Sequence, residues 1–409
     1  IGNGVYLSSQ SAFNVEIIEP DLMRVMQDTI NDVTELPTQC KHGYIVKVAN
    51  ARMSDEDDYY LKFQGTNNSS GSGSWEECAE PGIPLGFEAT SMPHILQRQA
   101  DGTFLVKKYT WQDRVVGDTT TNPMPSFVDN KLNKILFHRN RLAFLCNDNV
   151  ILSQPGNLGT PNFFNETALT VSNNDPIDIA CSSTFPSELF DGIEINAGLL
   201  IFSSNQQFLL TSDAEVLNPD TAKLGSLATY NYNTNLPPIS LGTTIAYIDN
   251  SGKYSRLNEM ANSGREAEPT VIEVSKLVPT LLPKDLDLIT NSRENGIIIL
   301  GKTSTDIVYG FRYFNLADQR KQSAWFKWKL NNPVKYHFII DDIYFFLDTD
   351  NFLQKINIIQ TEEDLDIDEE GVNYPIHLDN WTTVGSGSYN AGTGLTTFTN
   401  QSDWIDDIT

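Results

Sequence analysis

The chain has 409 residues, 40% of them hydrophobic, enough for one large core or two to three ordinary ones, which excludes a disordered tail. Its 28 Lys and Arg stand against 53 Asp and Glu, a formal charge of −25, and this excludes a protein that grips nucleic acid through ranks of phosphate-facing cations, though not one past which DNA slides. No run reaches the 18 or more apolar residues of a membrane-spanning helix, since even Tyr336 to Leu347 is cut by Asp341 and Asp342, and no basic-then-apolar leader is visible.

The chain opens on Ile1, without Met, inside a half-finished strand pattern running as a hairpin through Val5 to Ile18. It ends abruptly at Thr409, behind Trp404 and Ile405 in an acidic run, so both ends are expected to be cuts in a longer polypeptide. The one firm helix expected is Asp21 to Thr34: Leu22, Val25, Met26, Ile30 and Val33 follow the i, i+3, i+4 rule, Pro20 and Asp21 supply a start, and Pro37 closes it. First strands are expected at Tyr44 to Val48 and Tyr59 to Phe63, followed by a Gly/Ser loop tip at Gly65 to Ser74 (GTNNSSGSGS); Gly385 to Gly394 forms a second such tip. These tips either merely connect strands or line a channel or partner surface.

From Lys134 onward a unit of strand, polar turn, apolar strand, polar turn and strand repeats. The first copy holds Ile135 to Phe137, Leu142 to Cys146 and Val150 to Leu152, with turns at His138 to Arg141 and Asn147-Asp148-Asn149. Later copies centre on Leu199 to Phe202, on Thr244 to Ile248, on Ile297 to Leu300, and on Ile343 to Leu347 with its Asp348-Thr349-Asp350-Asn351 turn. Central strands begin near Leu142, Leu199, Thr244, Gly296 and Ile343, separated by 57, 45, 52 and 47 residues, the size of a propeller blade. Each meander has two faces to bury and cannot do so alone, so radial stacking is the natural solution. The expected fold is mainly β, a propeller-like array of antiparallel three- to four-stranded meanders with a small α+β piece at the N-terminal end. By residue, 1–40 end that α+β domain, 41–360 form the propeller-like core with inserted loops, and 361–409 hold an acidic loop and the start of a further β domain.

Candidate chemistry is sparse. Cys40, Cys78, Cys146 and Cys181 lack the close spacings of zinc or redox sites, and Cys146 reads as a small buried hydrophobe. Of His42, His94, His138, His337 and His377 only His42 lies at such a close spacing, two residues after Cys40, and one pair gives no metal or triad constellation local support. His138, beside Arg139 and Arg141, reads as a hydrogen-bonded structural residue. No phosphate loop and no G-x-S-x-G elbow occurs. Asp366, Asp368, Glu370 and Gly371 open like a calcium loop, but position twelve is His377 instead of a bidentate Glu, so Glu362 to Glu370 reads as a solvated loop. No cofactor, metal or catalytic residue is expected.

Six blocks in fixed order carry a resemblance from Tyr59 to about Leu210: Thr90 to Ala100 with Met92-Pro93-His94, Gly117 to Phe127 (GDTTTNPMPSF), His138 to Leu145 (HRNRLAFL), Val150 to Ser153, Asn174 to Ala180 (NDPIDIA), and Leu199 to Leu210. In these blocks the chain resembles the tail tubular protein B family of podoviruses, the tail nozzle proteins of short-tailed bacteriophages. A fainter likeness reaches back to the Asp21 region and forward through RKQSAWFKW at Arg320 to Trp328. The residues carrying the pattern are Met92, Pro93, Gly117, Asp118, Asn122, Pro123, Pro125, Phe127, Arg139, Asn140, Arg141, Asp175, Pro176 and Asp178. Pro123 and Pro125 suit an edge or inter-blade link. Arg139 and Arg141 are expected to pair with Asp175 and Asp178 to lock adjacent blades, with Asp175 capping a turn before Pro176.

The resemblance implies a structural virion protein: a homohexameric nozzle that conducts and gates DNA during ejection. Its implied partners are an adaptor ring of the tail tubular protein A type, tail fibres, and double-stranded DNA passing without specific binding. It further implies assembly in the host bacterial cytoplasm, where the four Cys stay thiols. An acidic lumen keeps DNA moving, and Asp55 to Asp58 and Glu362 to Glu370 are candidates to line it or the outer surface. The alternative is a carbohydrate-binding or carbohydrate-cleaving propeller at the host surface, although S-x-D-x-G-x-x-W boxes are absent.

Overall fold

The computed structural model describes residues 4–11, 13–19, 21–49, 58–156, 158–183, 186–261, 269–316, 319–359, 366–367, 373–374 and 387–397. With 47% strand and 3% helix, the fold is mainly β, a propeller-like array of curled antiparallel sheets. It divides into two units, Ile1–Asp285 and Leu286–Thr409.

In the first unit, β1 (Thr29–Ile30), β2 (Gln39–Cys40), β3 (Ile45–Val48), β4 (Tyr59–Gly65) and β5 (Gly71–Cys78) form a sheet of order β1-β3-β4-β5-β2. The helix expected over Asp21 to Thr34 is absent. Its place is taken by a turn at Asp21 and Leu22, then β1, then a 3-10 turn over Val33–Glu35. Tertiary burial overrides the helical period here: Ile30 pairs in parallel with Val48 and is buried with Val46 and Leu61, while Asp32 accepts from Thr34 N at 2.8 Å and breaks the backbone. The hairpin expected over Val5 to Ile18 does not form among the described residues: 5–11 and 13–18 find no ladder partner there, and Val5, Leu7 and Ile18 are exposed. The GTNNSSGSGS tip is shorter than expected, since Gly71–Cys78 pairs with β4 and only residues 66–70 turn.

An isolated hairpin, β6 (His94–Arg98) and β7 (Phe104–Lys108), precedes three four-stranded sheets. These are β8 (Leu132–His138), β9 (Arg141–Cys146), β10 (Asn149–Leu152) and β11 (Ile177–Ala180); β12 (Leu189–Ile195), β13 (Gly198–Ser203), β14 (Gln207–Ser212) and β15 (Ala222–Ala228); and β16 (Ile239–Ser240), β17 (Thr244–Asp249), β18 (Arg256–Ala261) and β19 (Thr270–Glu273). Their middle strands are buried on both faces, as the continuous apolar run Leu199 to Phe202 requires. Leu199 and Ile201 pack with Ala143, Leu145, Val150 and Leu152 of the preceding sheet. Leu200 and Phe202 pack with Ile245, Tyr247 and Met260 of the following one. The period of two thus sends alternate residues of one strand into two different cores, and this is what stacks the sheets.

In the second unit, β20 (Leu288–Ser292), β21 (Ile297–Gly301), β22 (Thr305–Leu316), β23 (Gln319–Ile340), β24 (Ile343–Asp348) and β25 (Leu353–Asn357) form one six-stranded meander. The two repeats expected here are fused, because β23 runs 22 residues from one into the other without a turn. Irregularities at Thr305/Ile307 and Val334/Tyr336 bend the ladder beside Pro333, which has no N–H to give. Beyond it lie β26 (Asp366–Ile367) with β27 (Asn373–Tyr374), and β28 (Ser388–Asn390) with β29 (Leu395–Thr397); the latter pair occupies much of the second Gly/Ser tip. The rest of the acidic run Glu362 to Glu370, with His377, lies outside the described residues, as do Asp55 to Asp57. Asp58, from the other acidic loop, does not face solvent: it is buried and paired with Lys47 at 2.7 Å.

Candidate functional site

The family-pattern residues gather around the β8–β11 sheet, where they build scaffold contacts. The β8–β9 turn places Arg139 and Asn140 at φ 46° and 61°, the two left-handed positions of a tight hairpin turn. Both side chains are exposed, and Arg139 Nη1 reaches Glu215 O at 3.4 Å. Arg141 starts β9 and turns inward to 1% exposure. Its Nη1 donates to Ser153 O at 2.8 Å and Asp175 O at 2.7 Å, and its Nη2 donates to Asn173 O at 3.0 Å and Leu217 O at 3.1 Å. One guanidinium therefore ties its own sheet, the segment entering β11, and the β14–β15 loop of the next sheet. Burial lowers its pKa, and the nearby Asp175 charge opposes that shift.

The expected Arg–Asp ion pairs do not form; carbonyl oxygens take the guanidinium instead. Asp175 caps its own turn, accepting from Glu166 N at 3.0 Å and Ser172 N at 2.8 Å before Pro176. Asp178 accepts from Ser126 N and Oγ, both at 2.7 Å, and from Asn149 Nδ2 at 2.7 Å, which fastens the Gly117 to Phe127 block to the sheet.

Within that block, Gly117 has φ +78° and a Cβ there would meet Thr121 Oγ1 at 2.8 Å and Asn122 Cβ at 2.9 Å. Asp118 caps the following turn through Thr120 N and Thr121 N, each at 2.8 Å. Burial raises its carboxyl, but these bonds outweigh burial and hold it below the usual range. Buried Asn122 donates to Val116 O at 3.0 Å and accepts from Asn165 N at 3.0 Å. Pro123 is exposed and Pro125 buried. Phe127 joins an aromatic core, 5.2 Å from Phe144 and 5.1 Å from Phe163, to which Trp111, Phe87 and Met92 add; Met92 roots the β6–β7 hairpin, with Pro93 half-buried behind it.

Three features escaped the sequence. The first is the Phe87/Trp111/Phe144/Phe163 cluster, dispersed along the chain without a period. The second is Arg114, buried over the Phe164 ring at 5.3 Å with no hydrogen-bond partner on its guanidinium. The third is the β8–β12 seam, where Lys134 meets Asp191 at 2.6 Å, Asn133 donates to Leu189 O at 2.9 Å, and buried His138 lies 3.4 Å from Glu194. Burial lowers the His138 pKa, opposed by Glu194. Burial also raises the Asp191 carboxyl, which the Lys134 ion pair occupies. Among the described residues no group of three His, Cys, Asp or Glu is placed to hold a metal ion.

Arg114 apart, the buried polar groups described here serve turns, carbonyls and sheet seams, the pattern of a β-rich scaffold of stacked meanders. The family model described as bacteriophage nozzle protein matches residues 10–409, and the chain belongs to that family, as the six sequence blocks anticipated. It is 27% identical over 376 residues to tail tubular protein gp12 of Escherichia phage T7, a match covering 89% of this chain and 45% of the relative. The chain therefore spans less than half the length of this relative. Among solved structures, Hsv2 of Kluyveromyces marxianus aligns at TM-score 0.39 and 8% identity, covering 75% of this chain and 96% of that one. BamB of Moraxella catarrhalis aligns at TM-score 0.34 and 9% identity, covering 73% and 78%. Scores this low carry no structural argument.

Proposed function

We propose that this chain is a wall segment of a homohexameric tail nozzle that conducts and gates double-stranded DNA during ejection into the host, with no catalytic residue and no cofactor. The observation that carries the reading is the nozzle-family match over residues 10–409. The physical features agree with it. A −25 chain repels DNA, which suits a passage through which the genome must slide, and at physiological salt the repulsion acts only within about 8 Å of the bore. Sheets that spend both faces on their neighbours make a stiff wall. Six copies related by a rotation that closes give heterologous contacts around the channel. Above the nozzle sits an adaptor ring of the tail tubular protein A type, with tail fibres near that junction. The shared motif residues, including Arg141, Asp175 and Asp178, act by fixing the wall's geometry. Electron microscopy of the purified protein tests this: a six-membered ring with a central channel is expected. A monomer at all concentrations, or release of reducing ends from host polysaccharide, contradicts it.

A further inference from the structure

The β6–β7 hairpin forms a two-stranded sheet of its own within the first unit. Among the described residues its two strands pair only with each other, through His94↔Lys108, Leu96↔Val106 and Arg98↔Phe104. A two-stranded ribbon with both edges open is at best marginal alone in water. The register also sorts its side chains. Alternation places Leu96, Phe104 and Val106 on one face, and they are 65%, 63% and 66% exposed. Arg98 and Lys108 lie at the two ends of this apolar stripe. A contiguous exposed patch of this kind marks an interaction surface, whereas single exposed apolar residues do not.

Charge identifies the partner. Residues 94–108 carry Arg98, Lys107 and Lys108 against Asp101, a net of +2, while the rest of the chain carries −27 to give the total of −25. A cation-rimmed apolar stripe fits an apolar surface edged with carboxylate. The first unit offers one: a groove of 280 Å³ along β11, where Val171, Pro176, Ile177, Ile179 and Pro219 are joined by Asn165, Asp175 and Asp178. Asp178 is exposed, and its three protein hydrogen bonds leave one lone-pair direction for a cation.

We propose that the β6–β7 hairpin is an assembly arm that docks its Leu96–Phe104–Val106 stripe into the β11 groove of a second copy of this chain, with Lys108 meeting Asp178. Arm and groove are different surfaces, so the contact is heterologous, and repeated by a closing rotation it generates a ring. This inference rests on the nozzle reading and names the element that builds the ring. The arm's root stays fixed in each copy, because Met92 is buried in the aromatic core and its carbonyl lies 3.0 Å from His94 Nδ1.

The test compares the wild-type protein with Leu96→Asp/Val106→Asp by sedimentation velocity and negative-stain microscopy. The variant keeps its circular dichroism and melting temperature, since the stripe is outside every core, and needs about tenfold or more higher concentration to form rings. Carbodiimide cross-linking of rings mixed from light and heavy-nitrogen protein yields a Lys108 to Asp178 link between copies. Rings that form equally well in the variant, or wild-type rings without that link, overturn the proposal. A variant that keeps its rings but loses wild-type binding to anionic lipid vesicles assigns the arm to membranes and also overturns it. Wild-type protein that never forms a ring removes the nozzle reading, and this inference with it.

Discussion

Replacing Arg141 with Met is the most informative single change to the scaffold. Met keeps the unbranched apolar stem but removes the guanidinium, so the carbonyls of Ser153, Asp175, Asn173 and Leu217 each lose a bond of 2.7 to 3.1 Å. A hydrogen bond from a charged donor is worth about 1.5–3 kcal/mol net, but the variant no longer has to bury a guanidinium, which offsets part of the sum. The expected loss is about 3–5 kcal/mol, in the range reserved for broken buried networks. Arg141→Lys, a point charge without the planar fork, falls between variant and wild type at about 2 kcal/mol. Urea unfolding gives the stability change. Hydrogen exchange localises it, with protection lost first around Asn173 to Ile177 and Leu217. A loss under about 1 kcal/mol, or exchange rising uniformly over the chain, refutes the idea that this residue ties the two sheets together.

Phe144→Ala empties a fully buried site in contact with Phe127, Phe163 and Trp111, and costs about 3–5 kcal/mol in the same urea assay; a cost near 1 kcal/mol means that the cluster is loosely packed. Gly296→Ala puts a Cβ 2.1 Å from Tyr313 O at φ +57°, and thermal melting is expected to register a loss of about 2 kcal/mol or more in the second unit; an unchanged melt contradicts the turn geometry. His337 is buried beside Tyr344 Oη at 3.0 Å, and burial pushes its pKa down from 6.5 to about 4, with Asp287 opposing. Because the unfolded chain takes up this proton first, its contribution is full above pH 6.5 and is lost as pH falls toward 4, by about 3 kcal/mol. Unfolding of the wild type between pH 7.5 and 4.5 should therefore show a slope that His337→Phe reduces, and equal slopes contradict the assignment.

The repeat was legible because strand and turn chemistry are local. Asn147-Asp148 and Asp348 to Asn351 turn where their residue types say, and the double-sided core was foreshadowed by Leu199 to Phe202 having no polar member. What failed depended on partners distant in sequence. The 21–34 segment has a helical period, yet Ile30 gains more by pairing with Val48. The fusion of two meanders was hidden because the repeats centred on Ile297 to Leu300 and on Ile343 to Leu347 read as separate units, whereas the single 22-residue β23 joins them. The arm had a usable signal, Asp101-Gly102 between alternating runs, with Gly102 at φ +87°, but exposure on both faces is not written in the residue types. Arg141 was singled out and given the wrong acceptors, since carbonyl oxygens leave no trace in a sequence.

The central claim is that these stacked meanders form the wall of a channel for DNA at the tail. Electron cryo-microscopy of purified virions tests it most directly. The account predicts sixfold density at the tail tip into which the β8–β11 and β12–β15 sheets fit, repeated around an open or gated axial passage. Tail-tip density that accommodates no such sheets, or virions whose tail lacks this polypeptide by mass spectrometry, contradicts it.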